Sequence, residues 1–171
     1  MEINLERYRH NQRYLAFVTN GFLVSQLLRV LHAFDGDLLA AIVLGEIAHH
    51  NVQRFFSDPR LRSGDDVEKA LADPQRRERL LSPCNALSVS HATGIPRETV
   101  RRRIERLVGE GWIERNERGH LYAADALVER FAHFHLETAK SVVETAEAVR
   151  AVLGTPVAER RPPVHTERGA L

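Results

Sequence analysis

The strongest structural pattern in the chain lies in residues 85–123, NALSVSHATGIPRETVRRRIERLVGEGWIERNERGHLYA. Asn85 can cap a short helix. The inward positions of that helix are Ala86, Val89, Ser90 and Thr93. Gly94 then supplies the positive φ that a sharp turn between helices needs, and Ile95 fills the corner. The pattern predicts two helices joined by a tight turn.

The second helix begins after Pro96, a residue that suits the entry to a helix. Its apolar side chains recur at helical spacing, at Val100, Ile104, Leu107 and Val108. Because that side is buried, the other side faces solvent, and it carries Arg97, Glu98, Arg101, Arg102 and Glu105. The helix over residues 97–108 is therefore expected to present an arginine-rich face.

A hairpin follows this helix. Gly109 and Gly111 are expected to end the helix. Two strand-like runs, residues 112–115 and 120–123, flank the turn NERG, which has glycine at its tight corner. The order helix, turn, helix and hairpin predicts a wing.

In this order the segment resembles the winged helix-turn-helix of bacterial transcription regulators, where the equivalent of GIPRETVRRRIERL opens the helix that enters the major groove. The resemblance covers about 40 of the 171 residues. The flanking helices resemble the multiple-antibiotic-resistance-regulator (MarR) type, in which a first helix and C-terminal helices form the dimer interface. Two features depart from that type: a long segment over residues 57–83, and one C-terminal helix where two are usual. The GntR type fits less well, because its winged helix lies at the N-terminus.

The resemblance implies a mainly α protein with a small β-hairpin wing, flanked by N- and C-terminal dimerisation helices. It implies double-stranded DNA as the partner, with the helix over residues 97–108 in the major groove and the wing over residues 113–122 against the backbone or minor groove. An arginine that pairs with both acceptors of a guanine adds roughly 1–3 kcal/mol of discrimination. The candidate DNA-binding residues are Arg97, Glu98, Thr99, Arg101, Arg102, Arg103, Arg106, Arg115, Arg118 and His120.

Two alternatives remain open for this module. Between residues 97 and 120 there are seven arginines and five glutamates, so the local charge is modest. The arginines could pair with glutamates at helical spacing on the face of a protein-interaction module. A DNA-binding accessory protein with little sequence preference is the other alternative.

Outward from the module, residues 1–56 predict an N-terminal helical pair, over residues 5–34 and 38–56, with Asp37 as the cap of the second helix. One stripe of the first helix holds Phe17, Gly21, Val24, Leu28 and Leu31. The candidates for the buried face of the second helix are Leu39, Ile42, Val43, Ile47 and Val52.

The remaining segments complete the predicted organisation. Residues 57–84 are expected to form a connector or insertion with short helical pieces, and residues 85–124 the DNA-binding module. A helix is predicted over residues 125–153 and a disordered tail over residues 154–171. A homodimer is predicted, because apolar helices flank the module on both sides. The resemblance also suggests a small apolar effector between the dimer helices, near Phe17, Phe22, Phe131 and Phe134.

Composition limits other functions. The 24 Lys+Arg against 23 Asp+Glu give a net charge of +1, so no global field indicates nucleic acid or membrane. The lone Cys84 excludes an internal disulfide framework and a cysteine-based zinc finger. No signal peptide is expected, and polar residues interrupt the apolar run over residues 14–34, so we expect a cytoplasmic protein outside the membrane.

The sequence also lacks the patterns of an enzyme. No nucleophile-base constellation, phosphate-binding glycine loop or dinucleotide fingerprint is present, so no catalytic activity and no cofactor are predicted. Histidines occur in pairs, such as His49 with His50 and His133 with His135, but their spacing alone does not make a ligand set. No metal site is predicted.

Overall fold

The computed structural model describes residues 3–58, 60, 61 and 63–153, and this part of the chain is mainly helical with a small antiparallel sheet. The predicted tail over residues 154–171 lies outside the described residues. In chain order the elements are α1 (Leu5–His10), α2 (Gln12–Ala33), α3 (Leu38–Ser57), α4 (Gly64–Ala72), α5 (Pro74–Leu80), α6 (Ala86–Thr93), α7 (Arg97–Gly109), β1 (Ile113–Arg115), β2 (Leu121–Ala123), α8 (Ala126–Arg130) and α9 (Ala132–Leu153).

Contacts divide the chain into two compact units. Unit 1 comprises Met1–Leu27 and Phe134–Leu171, and unit 2 comprises Leu28–His133. The boundaries fall inside α2 and α9, so the predicted 85–124 module belongs to a larger compact body that also contains α3 and the connector.

Unit 2 contains the hydrophobic core. Side chains of α3, α6, α7 and both strands pack together there. The best-buried members are Val43, Ile47, Val89, Val100, Ile104, Leu107 and Leu121. The predicted inward positions of α7 at residues 100, 104 and 107 are confirmed.

The side of α3 that is predicted to be buried is partly wrong. Asp37 caps the helix as predicted, since its side chain accepts a hydrogen bond from the backbone N–H of Ala40 at 3.0 Å. Val43 and Ile47 are buried, but Leu39 and Ile42 lie exposed. The buried face is completed by Ala40, Leu44, Asn51 and Phe55. A helix that is apolar on nearly every side does not reveal from sequence which side the core will cover.

Two helices predicted as continuous are interrupted. The helix expected over residues 5–34 breaks at Asn11, whose side-chain amide donates to the carbonyl of Arg7 at 2.9 Å and so competes with the helical ladder. The C-terminal helix breaks at Phe131, where the ring packs among other aromatic side chains of unit 2. Neither break carries glycine or proline, so periodicity alone does not reveal it.

The turn between α6 and α7 forms as predicted. Asn85 caps α6 by accepting from the N–H groups of Leu87 and Ser88 at 2.9 and 3.1 Å. Gly94 has φ +70°, the left-handed conformation that this corner requires. The hydroxyl of Ser90 donates to the carbonyl of Ile95 at 2.7 Å, which fixes the chain as it enters α7.

The hairpin is tied to the rest of unit 2 through β2. β1 pairs with β2 so that Glu114 lies opposite Tyr122, and Cys84 adds a single bridge to Leu121. The buried Asn51 of α3 accepts from the N–H of Ala123 at 2.9 Å, and its amide donates to the carbonyl of Leu121 at 3.1 Å. The same amide donates to the carbonyl of Ser82 at 2.8 Å. One side chain thus joins α3, the connector and the hairpin.

Unit 1 has little core. Among its described residues only Leu15 and Leu153 are buried, while large apolar side chains on α2 and α9 are exposed. Examples are Phe17, Leu23, Val24, Leu136, Val142 and Val143. Among the described helices, α2 alone is long and apolar enough to cross a membrane, a test that a core helix of a soluble protein also passes.

Candidate nucleic-acid interface

The first two turns of α7 present charged side chains to solvent. The side chains of Glu98, Arg101 and Arg102 are 58, 62 and 75% exposed, and Arg97 is exposed as well. Their backbone is held in place because Val100 and Ile104, on the opposite side of the same helix, are buried in the core of unit 2. The exposed face therefore belongs to a helix that the core of unit 2 holds in place.

Glu98 joins two of these arginines. Its Oε2 lies 3.1 Å from Nε of Arg101, and its Oε1 lies 3.5 Å from Nε of Arg102. The hydrogen bond and the charge of Arg101, with a smaller contribution from Arg102, hold the pKa of Glu98 below its ordinary value. The glutamate is therefore ionised at neutral pH and offsets part of the positive charge.

A groove of about 420 Å³ runs beside this face. Its lining comes from α6, α7 and the hairpin, and it includes Asn85, Leu87, Arg97, Arg101, Glu105 and Arg115. Nη2 of Arg115 on β1 lies 2.8 Å from Oε1 of Glu105 on α7. That hydrogen bond lowers the pKa of Glu105 and links the hairpin to the helix. The hairpin arginine is thus brought to the same surface as Arg97 and Arg101.

Arg103 and Arg106 lie on a different side of α7. Nε of Arg103 is 3.0 Å from Oδ2 of Asp37, without the alignment of a hydrogen bond, and Nη1 of Arg106 is 3.1 Å from the same oxygen. Arg106 also pairs with Glu110 at 2.7 Å. These two candidates therefore hold α7 to the start of α3, whereas Arg97, Arg101 and Arg102 extend from the exposed face.

The remaining candidates are spread between α7 and the hairpin. Thr99 is half-buried in the first turn of α7. Arg118 is exposed at the hairpin tip, and His120 is half-buried immediately before β2. The side chain of Asn116 accepts from the backbone N–H groups of Arg118 and His120 at 3.0 and 2.9 Å. This turn sets the shape of the tip and leaves the guanidinium of Arg118 in solvent.

Sequence reasoning missed two residues that shape this surface. Asp37 was predicted only as a helix cap, yet it also binds two arginines of α7. Asn51 is not among the predicted residues, although a polar amide on the buried side of an apolar helix indicates a buried hydrogen-bonding role. Its three hydrogen-bond partners lie on the connector and the hairpin, so the sequence of α3 alone does not identify them.

Aromatic side chains form a separate cluster in unit 2. Phe34 stacks on Phe131 at 5.6 Å between ring centroids, and Trp112 contacts both rings edge-on. The guanidinium of Arg130 lies 4.5 Å from the centre of the Trp112 ring. The sequence predicts Phe131 beside an effector, and in the structure its ring contacts Phe34 and Trp112. The effector itself stays a prediction.

Cys84 has the environment of a structural thiol. It is buried, and its Sγ lies 3.7 Å from the carbonyl oxygen of Leu121. Burial, with a smaller effect from Glu46, raises the pKa of Cys84 to about 11. In the part of the chain that the structure describes, His, Cys, Asp and Glu side chains form no group of three or more that could hold a metal ion.

Comparison of this chain with family models, with curated proteins and with solved structures finds no match.

Proposed function

We propose that this protein is a sequence-specific, DNA-binding transcription regulator of the cytoplasm, and that its segment over residues 85–124 is a winged helix-turn-helix that packs on α3. In this proposal α7 enters the major groove, and the hairpin over residues 113–122 contacts the backbone or the minor groove. The observation that carries the proposal is the exposed start of α7, where Arg97, Arg101 and Arg102 project from a helix anchored in the core.

The order of the elements supports the same proposal. In unit 2, α3 and the connector helices α4 and α5 precede a bridge residue at Cys84. Two helices joined by a left-handed glycine and then a hairpin follow it. The hairpin brings Arg115 to the groove beside α7, and Arg118 is exposed at its tip. Arginines on the helix face and on the adjacent hairpin suit a duplex, whose phosphates are contacted beside the bases.

The lack of core in unit 1 supports a homodimer. Its described residues bury only Leu15 and Leu153, too few to stabilise a pair of helices in water. A second copy that covers the apolar side chains of α2 and α9 would supply the missing burial. A two-fold dimer would also present two copies of α7 to half-sites about 34 Å apart, one turn of DNA.

Selection of bound sequences from a random duplex pool at near-physiological salt tests the proposal. The wild-type chain is compared with the double variant Arg101→Ala, Arg102→Ala. We expect the wild type to enrich a roughly palindromic site that the double variant does not select, because its base contacts are lost while the fold is retained. The variant Gln53→Ala, at an exposed position of α3, is the control and should select the wild-type site.

The alternatives give different results in this experiment. Retention of DNA without enrichment of any sequence would identify a non-specific DNA-binding protein, whose affinity falls steeply with salt. No retained DNA even at low salt would contradict DNA binding and would favour a protein-interaction module.

A further inference from the structure

Glu98 is an unusual side chain for the exposed start of α7. A DNA duplex carries one negative charge per about 1.7 Å of its axis, so a carboxylate on the approaching face weakens binding to phosphate. Yet Glu98 is the second residue of α7 and pairs with Arg101 and Arg102, whose side chains are 62 and 75% exposed. A surface selected for affinity alone would not carry an acid there.

A role in helix stability accounts for only part of this arrangement. An acid in the first turn complements the helix dipole, and pairs at i,i+3 and i,i+4 stabilise exposed helices slightly. Glu110 makes an equivalent i,i+4 pair with Arg106 at 2.7 Å, but at the far end of α7. Glu98 differs from Glu110 because it stands at the helix end that is nearest to the bases in the proposed complex.

The carboxylate of Glu98 also places a hydrogen-bond acceptor beside the donors of the Arg101 guanidinium. Arg101 approaches it with Nε at 3.1 Å from Oε2 and with Nη2 at 3.4 Å from Oε1. A guanidinium donates to O6 and N7 of guanine, and a carboxylate accepts from N4 of cytosine. Adenine also has an exocyclic amino group, but its N7 acceptor stands beside it and would repel a second carboxylate oxygen.

We propose that Glu98 is a specificity-determining residue that accepts a hydrogen bond from the amino group of a cytosine in the major groove, while Arg101 or Arg102 contacts a guanine. The inference rests on the proposed function. On DNA that lacks this cytosine, Glu98 is repelled by the duplex and keeps its arginines paired. The same side chain therefore favours the correct site and weakens binding to other sequences.

Two variants at one position test the inference by sequence selection. Glu98→Ala removes the acceptor, and we expect it to lose the preference for cytosine at one position of each half-site. Glu98→Gln keeps the size and adds a donor, and since an amide pairs with N6 and N7 of adenine, we expect the preference to move towards adenine. Glu110→Gln is the matched control and should select the wild-type site.

Affinities for defined duplexes give the second measurement. Replacing the selected C·G pair by T·A should weaken the wild type at least about fivefold and leave Glu98→Ala nearly unaffected. For a non-specific duplex, both variants should bind more tightly than the wild type. Melting followed by the fluorescence of Trp112 identifies any variant that fails to fold.

The outcomes separate the inference from the proposed function. If the wild type selects a site and both folded Glu98 variants select it with the same preference for cytosine, the inference is overturned and the regulator proposal stands. If the wild type selects no sequence, the inference and the regulator proposal are both overturned.

Discussion

At the scale of single residues, Asn51 shows how one buried amide can stabilise a whole unit. Replacing it by alanine leaves the N–H of Ala123 and the carbonyl of Leu121 without this partner inside the protein. Each buried polar group left without a partner costs about 1–3 kcal/mol. We expect Asn51→Ala to lower the free energy of unfolding by at least that amount, measured by urea titration with Trp112 fluorescence.

The control for this measurement lies on the same helix. The side chain of Gln53 is exposed on α3, so Gln53→Ala should change the free energy of unfolding by less than about 0.5 kcal/mol. Equal stability of Asn51→Ala and the control would contradict the role assigned to Asn51.

Cys84 allows a second prediction at this scale. Its pKa of about 11 keeps the thiol protonated at pH 8, and its burial blocks access of a reagent. We expect a disulfide reagent to modify it on the order of 100-fold more slowly in the native protein than in denaturant, because the thiolate is the nucleophile. Equal rates would contradict a buried, protonated thiol.

The pH dependence of stability follows from the same shift. The unfolded thiol loses its proton near its ordinary pKa of 9.0, whereas the folded thiol keeps its proton until about 11. The folded state therefore binds more protons in this window, and the free energy of unfolding should fall as the pH rises from about 9 to about 11. Cys84→Ala should remove this part of the decrease, and an unchanged profile would contradict the assignment.

At the scale of elements, the junction between α7 and the hairpin depends on one conformation. Gly111 has φ +72°, and two backbone hydrogen bonds close the helix around it. The N–H of Gly111 donates to the carbonyl of Val108 at 3.0 Å, and the N–H of Trp112 donates to the carbonyl of Leu107 at 2.8 Å. A side chain at this φ is strained by about 1–2 kcal/mol. We expect Gly111→Ala to lower the free energy of unfolding by about that amount.

Gly109 provides the matched control two residues earlier. It is the last residue of α7, and an added Cβ at either glycine meets nothing within 4 Å. Because alanine favours the helix, Gly109→Ala should raise stability by up to about 1 kcal/mol. If thermal melting shows that both substitutions raise stability or that both lower it, the backbone conformation does not decide the effect at this junction.

The elements also differ in how far sequence reasoning could predict them. For α7 and the hairpin, local signals agree, because glycine marks each turn and apolar residues mark one side of the helix. For α3, apolar residues surround the helix, so the exposed positions of Leu39 and Ile42 depend on where α6, α7 and β2 pack. The ion pairs of Asp37 with α7 depend on the same packing.

At the scale of the whole molecule, the exposed apolar side chains of α2 predict self-association. Phe17 and Val24 are 76 and 53% exposed and lie on one side of the helix, with Gly21 between them. A charge at Phe17 or Val24 would be buried in a dimer interface without a partner. We expect the double variant Phe17→Glu, Val24→Glu to be monomeric by analytical ultracentrifugation, and the wild type to be dimeric.

Gln53→Glu introduces a charge at an exposed polar position of α3 and should leave the dimer intact. A monomeric wild type would contradict the homodimer. Co-sedimentation of the wild type with anionic lipid vesicles, lost in the double variant, would instead indicate that lipid covers α2.

Elements that have a local cause follow from the sequence alone. Caps at Asp37 and Asn85, the left-handed turn at Gly94 and the amphipathic pattern of α7 each depend on residues a few positions apart, so the chain specifies them without its tertiary context. Tertiary packing selects the arginines of α7 that face solvent and those that bind Asp37. It also selects the buried side of α3 and the role of Asn51 in holding the hairpin. Those features join residues up to 72 positions apart, and no local propensity selects such a partner.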